Sequence, residues 1–336
     1  MSVSRGFVEQ YYSNGFYIFI SRTLRFFFGW LPVSFGDVLY TVVAAWLLWL
    51  VIRFIRLLFT RKMTKQKWLS GLRKMLQFVL LVYIIFNVFW GLNYNRQGIA
   101  YQLHLKPQPE TKEDLTLLTS MLLQRVNKAR QNLPQKVTYL SYRQTFDKAF
   151  TAYQDAQKKY PFLQYRFASV KPSFYSILGN YLGYSGYYNP FSAEAQVNVK
   201  MLPFTTPYVT CHEMAHQLGY ASEDEANFVG YLAAKSSPDP QFQYSVYFDL
   251  FNYANGELYL YDSAASRANY KALDTLVKKD MKDYRLFWQG YQNAIEPVIT
   301  MLYGHYLKAN NQPAGLRTYD FVTALLIDYR KKYGEL

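Results

Sequence analysis

Two long apolar runs near the N-terminus dominate the pattern of hydrophobic and polar positions. The first covers residues 38–59 and contains only two charged residues, both arginines near its end, while the second covers residues 75–93 and contains none. A helix needs about 20 mostly apolar residues to cross a bilayer, and arginine side chains near its end can extend to the headgroups. The runs predict two membrane-spanning helices, with the lipid bilayer as their partner.

The loop between these runs, residues 60–74, carries six Lys/Arg and no acidic residue. Short loops rich in Lys and Arg remain on the cytoplasmic side of a membrane. The second helix then leads outward, so residues 96–336 are expected outside the cytoplasm. Residues 1–95 are expected to form a multi-pass membrane anchor.

The stretch from residue 15 to residue 31 is apolar but contains Arg22 and Arg25 near its middle. Each arginine would cost about 2.5–3.5 kcal/mol at the centre of a bilayer. We therefore expect an interfacial helix that ends at Pro32. Whether the chain crosses the membrane two or three times stays open.

The pattern changes after residue 96, where helical periods and one alternating stretch replace the apolar runs. Thr111 precedes a segment with leucines at helical spacing, as expected for a capped helix. Residues 194–200 alternate between polar and apolar side chains, which predicts a short strand. A threonine followed by Pro207 predicts the start of another helix. The fold class is therefore predicted as α+β, mostly helical, with a small sheet.

The motif His212-Glu213-Met214-Ala215-His216 lies within the helix predicted to begin at Pro207. Residues four apart share one helix face, so both imidazoles can reach a single Zn²⁺. Glu213 projects about 100° around the helix from His212, which suits a base acting on the attacking water better than a third ligand. The motif predicts zinc ligation by His212 and His216, with Glu213 as the catalytic base.

A catalytic zinc site needs a third protein ligand, and the next predicted helix supplies acidic candidates. Glu223 shares one face of that helix with Asn227 and Gly230, so it can approach the histidines. Ser222 and Glu225 have the spacing of a capping box, and Glu225 remains the alternative third ligand. Asn227 is expected to accept a hydrogen bond from the N–H of a ligand histidine.

Composition narrows the classes of function. Of the 336 residues, 51% are apolar and 18% are charged, below the roughly 25% charged that is typical of soluble domains. The single cysteine, Cys211, excludes an intramolecular disulfide and a multi-cysteine zinc site. The net charge is +14, but residues 1–95 hold 11 Lys/Arg against 2 Asp/Glu. Because most of the excess lies beside the apolar runs, it does not predict nucleic-acid binding.

The segments around the motif resemble known sequences. A resemblance to gluzincin-type zinc metallopeptidases is carried by HEMAHQLG followed by EDEANFVGYLA. A resemblance to an uncharacterised family of bacterial membrane proteins with an HExxH motif is carried by GYSGYYNPFSAEAQVNV, CHEMAHQLGYASEDEANFVGYLAA and YLKANNQPAGLRTYDFVTALL. It implies a zincin-like domain in a bacterial cell membrane, with Zn²⁺ on His212, His216 and Glu223, Glu213 as the base, and support from Asn227.

The resemblance also assigns a role to the predicted strand. It implies an edge strand that binds an extended peptide by backbone pairing, through Glu194, Ala195, Gln196, Val197 and Asn198. An ordinary sheet strand is the alternative interpretation.

Together these features predict a membrane-anchored zinc metallopeptidase that cleaves a peptide or protein of the cell envelope or one that is secreted. The reaction would also need a group that stabilises the developing oxyanion, for which Tyr244, Tyr247 and His305 are candidates. The alternative function is a non-catalytic zinc-binding sensor or scaffold of the cell envelope.

Overall fold

The computed structural model describes residues 4–106, 110–310, 312 and 321–336. The chain begins with consecutive helical segments, namely Arg5–Phe7 (α1), the π-helix Val8–Phe16 and Tyr17–Gly29 (α2). Tyr17, Ser21 and Arg25 recur every four residues and form the buried face of α2. The hydroxyl of Ser21 donates to the carbonyl of Gln217 at 2.9 Å. The helix expected at the membrane interface therefore packs against the part of the chain that follows residue 96.

Two long helices follow, Phe35–Phe59 (α3) and Lys65–Phe89 (α4). Both are long and apolar enough to cross a membrane, with mean hydropathies of 2.2 and 1.7 over 18-residue windows that contain no buried residue. Helix α4 begins earlier than the second apolar run, so residues 60–64 alone connect the helices in place of the predicted loop 60–74. The side chain of Thr64 caps α4, and the lysines that follow have high helix propensity.

Short helices lead from α4 into the part of the chain that follows residue 96, where the predicted N-cap at Thr111 is present. The side chain of Thr111 accepts a hydrogen bond from the N–H of Asp114, and Ser141 forms a capping box with Gln144. The helices of this part are 3₁₀ Gly91–Asn95, Gly98–Gln102 (α5), Lys112–Gln131 (α6), Tyr142–Lys159 (α7), 3₁₀ Pro161–Leu163 and Ser176–Leu182 (α8).

The remaining helices build most of the core. They are Thr206–Gln217 (α9), Glu223–Ser236 (α10), Pro240–Tyr261 (α11), Ser263–Ala272 (α12), Thr275–Tyr291 (α13), Glu296–Ala309 (α14) and Val322–Tyr333 (α15). Helix α6 packs on α11, and α9 packs on α10. Fully buried side chains such as Leu118, Phe228 and Phe248 fill the space between them. The described residues are mostly helical, in agreement with the predicted class.

The described residues also form a three-stranded sheet in the order β1-β3-β2, from Val170–Pro172 (β1), Gly186–Asn189 (β2) and Glu194–Val197 (β3). Strand β3 runs parallel to β1 and antiparallel to β2. The prediction of an edge strand at residues 194–198 is wrong, because β3 lies in the middle and both of its backbone edges are paired. Its polar side chains are buried rather than solvent-exposed, which the alternating pattern does not reveal.

The polar residues of β3 hold the start of the first apolar helix. The carboxylate of Glu194 accepts hydrogen bonds from the N–H of Gly36 at 2.6 Å and of Phe35 at 3.1 Å. It also accepts from the hydroxyl of Ser34 at 3.2 Å. An anion is stabilised at a helix N-terminus by the unpaired N–H groups there. Glu194 and its strand therefore fix α3 to the sheet.

Candidate metal centre

A close helix contact brings the motif and the downstream acidic turn together. Helix α9 ends before Gly219, whose φ of 85° lies in the left-handed region that favours glycine. The chain then reverses and α10 packs along α9. At Gly230, a Cβ atom would lie only 3.0 Å from the backbone nitrogen of His212. The absence of a side chain at Gly230 therefore permits this short separation between the two helices.

The sequence-predicted ligands meet at this contact. Oxygen Oε2 of Glu223 lies 3.2 Å from Nε2 of His212 and 3.6 Å from Nε2 of His216. Four ligands placed tetrahedrally at about 2.0–2.1 Å from Zn²⁺ lie roughly 3.3 Å from one another. All three ligand atoms lie within 4.8 Å of one another, so His212, His216 and Glu223 could hold a metal ion. Their separations and their N and O donors fit zinc.

The electrostatics of the cluster favour a positive charge at its centre. Burial alone would raise the pKa of Glu223, but hydrogen bonds from His212 and His216 bring it well below its ordinary value. Burial would lower the pKa of His216, yet the Glu223 carboxylate raises it to about 9. A proton on His216 supplies this charge, and a divalent cation would replace it.

The outer partners of the histidines differ from the prediction. Nδ1 of His216 lies 2.7 Å from the carbonyl oxygen of Tyr220, which fixes the proton on Nδ1 and leaves Nε2 free for a metal. Within the described part of the chain, Nδ1 of His212 and Nδ2 of Asn227 have no partner. The carbonyl and side-chain oxygens of Asn227 instead accept from the hydroxyl of Tyr208, at 2.9 and 3.5 Å. The expected support of a histidine by Asn227 is therefore not formed.

Sequence reasoning missed one residue of the cluster. The hydroxyl of Tyr303, on α14, donates to Oε1 of Glu223 at 2.6 Å. The hydroxyls of Tyr244 and Tyr247, two candidates for stabilising the oxyanion, bond to other residues. Tyr244 donates to Asp280 at 2.7 Å, and Tyr247 accepts from Arg125 at 3.1 Å. The third candidate, His305, lies on α14 with an exposed side chain. No spacing signal could have identified Tyr303, which lies 80 residues from Glu223 in the sequence.

Glu213 lies beside the cluster and next to the edge strand β2. A Cβ at Gly186 would lie 2.5 Å from Oε1 of Glu213, so the backbone of β2 passes directly over this carboxylate. Glu213 is 4% exposed, and its Oε2 has no hydrogen-bond partner among the described residues. Burial raises the pKa of Glu213 to about 7, although the two histidines act to lower it. A buried carboxyl with this pKa can both take up and release a proton near neutrality.

The alternative ligand Glu225 points away from the cluster. Its Oε1 accepts from the N–H of Ile99 at 2.8 Å, at the start of α5. Ser222 is the N-cap residue of α10 but makes no side-chain capping bond, so the predicted capping box is absent. The geometry therefore selects Glu223 over Glu225.

Cys211 is fully buried in the core, and burial raises the pKa of its thiol above the ordinary range.

Comparisons with known proteins identify the family of the chain. No curated protein and no solved structure matches the sequence. A family model described as "Protein of unknown function (DUF3810)" matches residues 12–327, nearly the whole chain. The protein therefore belongs to the DUF3810 family of proteins of unknown function.

Proposed function

We propose that this protein is a membrane-anchored, zinc-dependent metallopeptidase with its active site outside the cytoplasm. The observation that carries the proposal is Glu213, a buried carboxyl with an unpartnered oxygen, beside a His212–His216–Glu223 cluster. A purely structural zinc site is closed by four protein ligands and needs no base next to it. Three ligands with an adjacent base are the arrangement used by hydrolytic zinc enzymes.

The packing of the N-terminal helices supports the proposed topology. Glu9, in the π-helix, forms a buried ion pair with Arg96 at 2.9 Å. Residues before α3 and after α4 are thus joined in one hydrophilic contact, which supports a location of both on the same side of the membrane. The basic turn between α3 and α4 would then face the cytoplasm. On this proposal the protein spans a bacterial cell membrane twice.

In the proposed reaction, His212, His216 and Glu223 hold the metal ion, and Tyr303 orients Glu223. When bound, zinc would polarise the scissile carbonyl and lower the pKa of the attacking water. Glu213 accepts a proton from that water, and the same carboxyl then donates it to the leaving amine. Its pKa of about 7 suits both transfers, because neither protonation state is strongly favoured near neutral pH.

The edge strand β2 is the proposed binding edge for the substrate. It is the outer strand of the sheet on the side of Glu213, and residues 186–188 are partly exposed. A peptide that extends an edge strand is held by main-chain hydrogen bonds. Peptide binding, which was predicted for residues 194–198, is therefore proposed for residues 186–189 instead. The proposed substrates are peptides or proteins of the cell envelope or secreted ones.

The test compares variants of the full chain, purified in detergent with zinc. Glu213→Gln should retain about one zinc per chain and lose hydrolysis of a peptide library and of cell-envelope extract. His212→Ala should lose both zinc and hydrolysis. Wild-type protein that binds zinc but cleaves none of these substrates would overturn the peptidase proposal and favour the zinc-binding sensor or scaffold.

A further inference from the structure

A second polar site lies on the other side of the motif helix. A cavity of about 420 Å³ is lined by residues of α2 and, at the C-terminal end of α9, by Gln217 and Leu218. Three arginines, Arg22, Arg25 and Arg96, also line it. The cavity shares no lining residue with the metal cluster, and its chemistry is that of an anion site rather than of a cation site.

One of these arginines is neutralised within the chain and the others are not. Arg96 donates from Nη2 and Nε to Glu9, at 2.9 and 3.1 Å. Arg25 is only 2% exposed, and its Nε donates to the carbonyl of Ser21 at 3.3 Å. Its Nη1 has no acceptor among the described residues. The guanidinium carbon of Arg25 lies 4.6 Å from the centre of the Tyr165 ring. A buried guanidinium nitrogen without an acceptor is costly, so Nη1 still lacks an acceptor that a ligand could supply.

The surroundings of Arg22 show the same imbalance. Its Nη2 donates to the neutral amide oxygen of Gln164 at 2.9 Å. Burial and then the charges of Arg166 and Arg25 lower the pKa of Arg22, with no carboxylate to oppose them. Among the described residues, no acidic side chain forms an ion pair with Arg22, Arg25 or Arg166. Arg22 and Arg25, which line the cavity, and Arg166, whose charge acts on Arg22, therefore have no counter-ion among the described residues.

We propose that this cavity binds the phosphate group of an anionic phospholipid. Guanidinium groups bind phosphate oxygens through paired, charge-assisted hydrogen bonds, and a phosphate would satisfy Arg25 and offset the charges of Arg22 and Arg166. The volume is several times that of a phosphate ion, which leaves room for a headgroup. This inference is independent of the peptidase proposal, since it uses no residue of the metal cluster.

The position of the cavity favours a lipid as the source of the phosphate. Helix α2 ends only a few residues before the apolar helix α3, so the cavity lies near the membrane surface. Around α2, the side chains of Phe19, Phe26, Phe27 and, just beyond the helix, Trp30 are each 58% or more exposed. Aromatic side chains of this kind collect at membrane interfaces. A headgroup at this depth can reach Arg22 and Arg25 from the bilayer.

The test measures lipid binding to the full chain, independently of hydrolysis. The protein is placed in nanodiscs of phosphatidylcholine with or without phosphatidylglycerol, and bound lipid is counted by native mass spectrometry after extraction. The wild type should retain phosphatidylglycerol, and Arg22→Gln with Arg166→Gln should weaken its binding about tenfold or more. Both side chains are at least partly exposed, so this double variant should fold. Arg143→Gln, at an exposed arginine on α7, is the matched control and should bind as the wild type does.

Two results would overturn the proposal. Equal retention of phosphatidylglycerol by the wild type, the double variant and Arg143→Gln would show that the arginines form no site. Thermal stabilisation in detergent by inorganic phosphate alone, without a further increase from phosphatidylglycerol, would assign the cavity to a free phosphate compound and remove the lipid from it. Arg25→Met adds a second check, since it should abolish lipid-dependent stabilisation even if it raises the melting temperature without lipid.

Discussion

Two clusters of buried charge lie on either side of the start of α10, and they differ in how their charges are satisfied. In one, Glu9 forms an ion pair with Arg96, and Glu225 accepts a hydrogen bond from the N–H of Ile99. In the other, Glu223 and Glu213 face two histidines, and one atom each of Glu213 and His212 has no partner among the described residues. Where buried charges are paired within the chain, removing one partner destabilises the fold, because it leaves the other charge uncompensated. Buried charges that are not paired in this way are the mark of a ligand site.

In the first cluster, the charged groups of Glu9 and Arg96 have several partners within the chain. The carboxylate of Glu9 accepts from Arg96, from the N–H of Gln97 at 3.0 Å and from the side chain of Gln102 at 3.0 Å. The guanidinium carbon of Arg96 lies 4.5 Å from the centre of the Tyr220 ring. Although burial acts to raise it, the pKa of Glu9 is lowered by Arg96. This cluster joins the N-terminal helices to the part of the chain that begins at residue 96.

The largest difference between the clusters should appear in zinc binding. Glu223→Gln removes a charged ligand, so zinc affinity should fall by more than the roughly 10–100-fold that loss of an outer partner costs. Glu225→Gln, two residues further on, should leave zinc affinity unchanged. Competition with a zinc chelator measures both affinities. A larger loss in Glu225→Gln would reverse the ligand assignment.

Disrupting the Glu9–Arg96 ion pair should lower the thermal stability and leave zinc binding unchanged. Glu9→Gln leaves Arg96 buried with a weaker partner, and removal of one member of such a pair costs about 3–5 kcal/mol. Thermal melting should show this loss while zinc content stays at the wild-type value. Because the folded-state pKa of Glu9 is lowered, its stabilisation is present above the ordinary pKa of about 4.3. It is lost as the pH falls through the lowered value, so the wild type and Glu9→Gln should converge in acid.

The hydroxyl of Tyr303 links α14 to the metal cluster, and its removal should have an intermediate effect. Tyr303→Phe deletes the hydrogen bond to Glu223, and zinc affinity should fall about 10–100-fold. Tyr306→Phe, one turn later on the same helix, removes a hydroxyl that contacts Tyr94 at 3.3 Å and should keep the wild-type affinity. Chelator competition again distinguishes them. Equal affinities for both variants would mean that Tyr303 does not hold Glu223.

The smallest effect should come from the helix contact itself. Gly230→Ala places a Cβ 3.0 Å from the His212 backbone, and the resulting overpacking should cost about 1–2 kcal/mol. Gly256→Ala, within α11, would place its new Cβ more than 4 Å from the other described residues that it could meet. It should stabilise the protein by up to about 1 kcal/mol, because alanine favours helix. Melting temperatures that shift in the same direction for both variants would contradict a close contact at Gly230.

The local sequence pattern was sufficient to predict the features that depend on one helix or on two neighbouring helices. The spacing of His212 and His216 follows from helix geometry alone. The face shared by Glu223 and Gly230 correctly indicated which carboxylate turns toward the histidines. The N-cap at Thr111 likewise depends on only a few residues. These features needed no knowledge of distant contacts.

Features that depend on tertiary contacts were not predictable in the same way. Strand β3 has polar residues on one face, which predicts that this face is exposed to solvent. Glu194 instead faces the start of α3 and is fully buried. Asn227 has the right position on α10, but Tyr208 occupies its oxygens. Tyr303 reaches the cluster from a helix far along the chain. In each case, an element distant in sequence supplies the partner that decides the role of the side chain.

The most direct test of the central claim is X-ray absorption at the zinc edge on the full chain, compared with His212→Ala. The account predicts a single zinc with two imidazole nitrogens at about 2.0–2.1 Å and carboxylate oxygen at about 2.0–2.2 Å, and loss of that signal in the variant. A wild type without stoichiometric zinc, or a zinc whose surroundings are unchanged by His212→Ala, would contradict it.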